Sequence, residues 1–121
     1  MVYTSESVAL AALERLARTR ILATLPGQVV VPAVVPDDAI VEMAPAQLPP
    51  DWKQFPHPAS TKNYGGAWIQ SQSSLAIKVP SVVAPGSNIL INPLHPRFAD
   101  VIIEAPIADA FDERLGEPPR P

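Results

Sequence analysis

Apolar positions recur with different periods in different parts of the chain. In VALAALERL the residues Val8, Ala9, Ala12, Leu13 and Leu16 recur at three- and four-residue intervals, which gathers them on one face of a helix at about 100° per residue. The pattern predicts a helix over roughly 7–20, opened by a Ser5 or Ser7 cap, behind an extended Val2-Tyr3-Thr4. Glu14 falls just outside the apolar face with Arg18 four residues on. The simplest expectation for it is a solvated ion pair worth about 0.2–0.5 kcal/mol.

Beyond residue 28 the runs shorten and the period drops toward two. QVVVPAVV reads as a strand in which Pro32 marks an edge or a bulge, ended by Asp37 and Asp38. DAIVEMAPAQLPPDW reads as an irregular crossing with one short turn around Ile40 to Met43, and 53–60 as a loop. STKNYGGAWIQSQ reads as a second helix, although Gly65 and Gly66 each cost about 1 kcal/mol relative to alanine unless close packing needs them. SLAIKVPS then sets Leu75, Ile77 and Val79 opposite Lys78, and NILINP sets Ile89 and Ile91 opposite Leu90, with SVVAPG turning the chain between them. DVIIEAPI is the last predicted strand, ahead of FDERLGEPPRP, whose Pro-rich end is expected to fray.

Sixteen prolines in 121 residues, sparse before residue 25, confine long helices to the gaps between them. The expected class is therefore α+β, a compact mixed or antiparallel sheet with a few short helices, and not a doubly wound fold. The length fits one domain. A net charge of -3 without a cationic block argues against nucleic-acid binding. With no cysteine, and with His57 and His95 in separate Pro-bounded segments, a metal centre is not expected. The apolar stretches are interrupted by Pro, Gly, Asn and Gln, and the N-terminus lacks the pattern of a signal peptide, so a soluble cytoplasmic chain that does not enter a membrane is expected.

Neither YGGAW nor PGSN has the spacing or trailing Lys of a phosphate-binding loop. Ser81, His95 and an acid are the components of a nucleophilic triad, as in almost any soluble domain. More distinctive are polar residues set in apolar contexts: Tyr3, Glu14, Ser81, Asn88, Asn92 and His95. Each has an ordinary duty open to it. Tyr3 can be a core aromatic, Ser81 can turn the chain after Pro80, Asn92 can form an Asx-turn, and His95 can donate to a carbonyl.

Taken in order, VYTSESVALAALERL, LPPDW, GGAWIQSQSSLAIKVPSVVAPGSNILINPLHPRF and FDERL resemble the RES-domain family over nearly all of 2–115. That family is named for an Arg, a Glu and a Ser and consists mostly of toxins of bacterial toxin-antitoxin modules. The resemblance implies a compact fold related to the ADP-ribosyltransferases and the degradation of NAD by hydrolysis or phosphorolysis of its nicotinamide-ribose bond, with NAD as substrate and no further cofactor. It places the family Glu on Glu14, the family Ser on Ser81 and a pre-helix Tyr on Tyr3. Glu14 would stabilise the oxocarbenium-like transition state from beside the ribose. Tyr3 would meet the nicotinamide-ribose end, and Ser81 a ribose hydroxyl or a phosphate.

The family Arg belongs to a Gly-Gly-Arg-Trp-like segment upstream of the strand that ends in this Tyr, and GGAW at 65–68 is a different segment. The expectation is an N-terminally shortened RES domain over 1–115 with a flexible tail at 116–121, and Arg18 and Arg97 are weak stand-ins for the missing cation. Implied partners are NAD, phosphate as a second substrate and a cognate helical antitoxin. An inactive antitoxin-binding module and a protein ADP-ribosyltransferase are the alternative functions. Loss of N-terminal strands would leave an apolar face of Leu75, Ile77, Ile89 and Ile91 uncovered, so self-association is expected.

Overall fold

The computed structural model describes residues 1–54 and 59–116. Strand β1 (Val2–Ser5) leads into helix α1 (Val8–Thr19). Short strands β2 (Ala33–Val34) and β3 (Ile40–Glu42) follow, then helix α2 (Ala59–Ser71), the hairpin β4 (Ala76–Pro80) and β5 (Ser87–Ile91), and β6 (Ile102–Ile103). Four strands form one sheet in the order β1-β5-β4-β3, while β2 and β6 make a separate antiparallel ribbon. β3 and β4 run parallel and the other pairs antiparallel, because α2 intervenes between β3 and β4 and returns the chain in the same direction. The class is α+β with a mixed sheet.

The register fixes what shares a face. Tyr3, Leu90, Ile77 and Val41 form one row across the sheet, and Ser5, Asn88 and Val79 form the next row on that same face. Ile89 and Ile91 point to the opposite face with Ala76 and Ile40. There Ala76 and Ile91 pack with Ala39 and Leu75, and Val35 and Val101 close over them. The expected uncovered face therefore does not exist as such. Leu75, Ile77 and Ile91 are all buried, and Ile77 and Ile91 lie on opposite sides of the sheet.

Other expectations change in instructive ways. The turn around Ile40 to Met43 is strand β3, preceded by a 3-10 turn over Asp37–Ala39. QVVVPAVV contracts to two paired residues and an isolated bridge from Val30 to Ile107, since Pro32 offers a carbonyl to Glu104 but no amide. Helix α2 keeps both glycines. Only Gly65 is pressed, where an added Cβ would lie 3.3 Å from Met1 Cε, and Gly66 faces open space. Asn92, fully buried, makes the Asx-turn with Leu94 N–H at 3.0 Å and also donates to Ile69 C=O at 2.9 Å, which secures the last turn of α2 to the end of β5. His57, residues 55–58 of the expected 53–60 loop and the tail beyond 116 lie outside the described residues, while 59 and 60 of that loop belong to the first turn of α2.

Helix α1 differs most from its pattern. Ser7 caps it by accepting from Leu10 N–H at 3.1 Å. Its one buried residue is Leu10, whereas Val8 and Leu13 of the predicted apolar face remain 45% and 43% exposed. Leu10 lies against Gly86, whose φ of +133° turns the β4–β5 hairpin; an added Cβ there would come within 3.1 Å of Leu10 Cδ2 and 3.2 Å of Glu6 Oε1. Both the backbone and the close approach demand glycine. Gly86→Ala should destabilise the protein by about 1–3 kcal/mol, while Gly27→Ala, with nothing within 4 Å of the new methyl, should be neutral or slightly stabilising. Urea unfolding of the two variants checks the difference.

Candidate functional site

Where α1 crosses the β4–β5 hairpin, four polar side chains from four elements meet. Ser81, just after Pro80 ends β4, donates its hydroxyl to Glu14 Oε1 at 2.6 Å. Asn88 of β5 donates through Nδ2 to the same oxygen at 2.8 Å. Asn88 Oδ1 in turn accepts from Ser5 Oγ of β1 at 2.7 Å, which fixes the amide with its NH2 toward Glu14. The two sheet residues face each other by register, since Ser5 is opposite Asn88.

Ser81 is held by the hairpin itself. Its N–H donates to Gly86 C=O at 2.9 Å, and its Oγ accepts from Val83 N–H at 3.0 Å and Ala84 N–H at 3.4 Å. The hydroxyl proton is committed to Glu14. Glu14 is half-buried, and both of its hydrogen bonds fall on Oε1. Among the described residues its second oxygen has no partner and is not sealed from solvent. That oxygen keeps its acceptor capacity, on a carboxylate whose orientation is already set by Ser81 and Asn88.

The expected pair between Glu14 and Arg18 does not form among the described residues. Ser81 and Asn88 take its place because α1 presents Leu10 and Glu14 to the sheet, one helical turn apart. Tyr3 is not a core aromatic. It is 68% exposed and occupies the neighbouring row of the same sheet face, about 7 Å along the strand from Ser5, without a hydrogen bond to the cluster among the described residues. Ser81 and His95 are not brought together. His95 caps a 3-10 turn over Pro96–Asp100, and its Nδ1 accepts from Arg97 N–H at 3.0 Å instead of donating to a carbonyl.

His95 and Arg97 line a separate cleft of about 240 Å³ with Asp38, Ser73 and Ser74, and none of Glu14, Ser81 or Asn88 contributes to it. Arg97 hydrogen bonds to Asp100 at 2.9 Å and Asp38 at 3.2 Å. These bonds, Asp100 first, hold the guanidinium above its ordinary pKa. It is already engaged, and it is not beside Glu14. Among the described residues no group of three or more His, Asp or Glu side chains is arranged to hold a metal.

Two residues around the site receive no role from the sequence. Asn88 stands out in the sequence only as a polar residue within a strand, but its separation from Ser81 by a hairpin turn is a signal that both can reach one point. Glu6 gives no such signal. It accepts from Ser87 N–H at 2.8 Å through Oε1 and pairs with Lys78 Nζ at 3.5 Å through Oε2, pinning the start of α1 to the hairpin.

The family profile described as RES domain matches residues 1–113. Among curated proteins, the chain is 35% identical over 116 residues to Toxin Res of Yersinia enterocolitica, an alignment that covers 94% of this chain and 76% of that one. It is 36% identical over 100 residues to the Prs ADP-ribosylating toxin of a Sphingobium species, covering 79% of this chain and 62% of the relative. A hydroxylamine reductase of Burkholderia ambifaria is 47% identical over 53 residues, but these make up 9% of its length. So small a share carries nothing of that protein's named chemistry. The chain thus spans three quarters of the first relative and less than two thirds of the second.

The hydrogen bonds give unequal weight to two neighbours of Glu14. Ser81→Ala removes a charge-assisted donor and a turn acceptor and should cost about 1–2 kcal/mol of stability. Arg18→Gln should stay within about 0.5 kcal/mol of the parent. Chemical denaturation of both variants measures the contrast.

Proposed function

The chain belongs to the RES-domain family, and from that premise we propose that it degrades NAD by cleaving the bond between nicotinamide and ribose, with Glu14 stabilising the transition state. The observation that carries the proposal is the carboxylate of Glu14, held through one oxygen by Ser81 and Asn88 while the other stays open. As the C1′–N bond breaks, nicotinamide leaves with the bonding electron pair and positive charge develops on the ribose. An oriented carboxylate that accepts from the 2′-hydroxyl opposes that charge more strongly in the transition state than in bound NAD. Water then adds to C1′ and releases a proton, giving ADP-ribose. Phosphate attacking the same carbon would give ADP-ribose 1″-phosphate.

In this reading Ser81 acts through Glu14, since its proton is already donated there. Tyr3, exposed on the same sheet face, is free to stack on the nicotinamide end. The pyrophosphate calls for a cation. Arg97 is engaged with Asp38 and Asp100, so it is a poor candidate for that part. A cognate helical antitoxin is the partner that the same resemblance implies.

A second reading, transfer of ADP-ribose to a protein, is favoured by the name of the Sphingobium relative, an ADP-ribosylating toxin. It uses the same bond cleavage and the same Glu14, with a protein nucleophile in place of water. Incubation with NAD labelled in the adenylate separates the readings: free ADP-ribose indicates hydrolysis, and label retained on protein indicates transfer.

Glu14→Gln keeps an oxygen acceptor for both Ser81 and Asn88 but removes the charge. It should leave the thermal midpoint nearly unchanged and lower NAD turnover by about 10²- to 10⁴-fold, equivalent to about 3–5 kcal/mol of transition-state stabilisation. Nicotinamide release by wild type and variant at matched stability is the measurement. Turnover within threefold of wild type would remove Glu14 from the mechanism.

A further inference from the structure

The β2–β6 ribbon is unlike the rest of the surface. A two-stranded ribbon facing water on its own is marginal, and its outward positions are ordinarily polar. Here Ile102 and Ile103 are 60% and 62% exposed, and Val29, Val31, Val34 and Ile107 are each about half exposed. Over 28–35 and 101–107 the one charged residue is Glu104.

The two outer edges of the ribbon differ. On the β2 side Pro32 interrupts the row of amide donors, a common protection of an edge strand. On the β6 side Val101 to Glu104 contains no proline, lysine or arginine. The pairing determines which groups that edge offers. Glu104 N–H bonds to Pro32 C=O at 2.9 Å, and Ile102 is opposite Val34, so these residues turn their main chain toward β2. Ile103, between them, turns its N–H and C=O outward.

We propose that this edge joins two copies of the chain, with β6 pairing antiparallel to β6 of a second copy about a two-fold axis at Ile103. The two Ile103 residues would exchange N–H and C=O, extending each ribbon into a four-stranded sheet β2-β6-β6-β2. This register sets Glu104 opposite Ile102 of the other copy, so the carboxylates do not meet. An edge of this kind is complementary to itself, as a closed two-fold interface requires. It also carries too little charge to select a basic or acidic partner. The exposed aliphatic side chains stand on both faces of the ribbon, Ile102 beside Val34 on one and Ile103 beside Ala33 on the other, so a paired edge would have apolar cross-strand neighbours on either side of the new hydrogen bonds. The interface lies outside the Glu14 cluster, so it stands independently of the reaction assigned there.

Sedimentation velocity from about 1 to 100 μM tests the association, and the absence of cysteine from the chain makes cross-linking a clean second reading. The chain should shift from monomer to dimer over that range, and Ile103→Lys should weaken association at least tenfold while leaving unchanged the thermal midpoint measured at about 1 μM, where the wild type is monomeric. The proposed pair has a Cα separation of about 5.5 Å, within disulfide reach, so Ile103→Cys should form a covalent dimer under mild oxidation. Leu13→Cys, on the exposed face of α1, should not. A monomer throughout the range would overturn the proposal. So would a dimer that persists in Ile103→Lys, or oxidation that links Leu13→Cys in preference to Ile103→Cys.

Discussion

One carboxylate oxygen, Oε1 of Glu14, joins helix α1 to both strands of the β4–β5 hairpin through Ser81 at 2.6 Å and Asn88 at 2.8 Å. Taking a carboxylate partly out of water is costly unless good donors replace the solvent, and here a hydroxyl and an amide do so. The donors are themselves held: Ser5 fixes the amide of Asn88, and the hairpin amides fix the oxygen of Ser81. The contact also requires that α1 come close to the turn. Gly86 allows this, because any side chain there would press on Leu10 and Glu6.

This constraint overrides the helix's own hydrophobic pattern. A rotation that buried Val8 and Leu13 would gain on the order of 1 kcal/mol or more for each side chain, but it would carry Glu14 away from its two donors. Instead α1 commits Leu10 and Glu14 to the sheet, leaves Val8 and Leu13 exposed and buries Ala12 and Leu16 only in part.

Much of the fold was legible in the sequence. The Ser7 cap, the alternation in β4 and β5, the turn at Gly86 and the Asx-turn at Asn92 all depend on residues within a few positions of one another. Strand β3 was not legible, because Ile40–Glu42 is too short for a period and owes its structure to the β4 edge beside it. The site was legible in part. The family resemblance pointed to Glu14 and Ser81, and the structure brings them together. The contribution of Asn88 depends on a contact across 74 residues of sequence, and Tyr3 could be placed on the same sheet face as Ser5 and Asn88 only once the register with Leu90 was known. The ordinary expectation for Glu14, a pair with Arg18, failed because the helix turned its flank and not its stripe to the sheet.

The polar residues divide into two centres with different characters. Around His95 the charges are mutually satisfied, with Arg97 between two aspartates. Around Glu14 the hydrogen bonds converge on one oxygen and leave the other open. A crystal structure with an uncleavable NAD analogue shows whether that asymmetry serves the substrate. A ribose hydroxyl should lie within hydrogen-bond distance of Glu14 Oε2, with Oε1 still bonded to Ser81 and Asn88. A ribose bound instead in the cleft of His95 and Arg97, with Glu14 facing solvent, would contradict it.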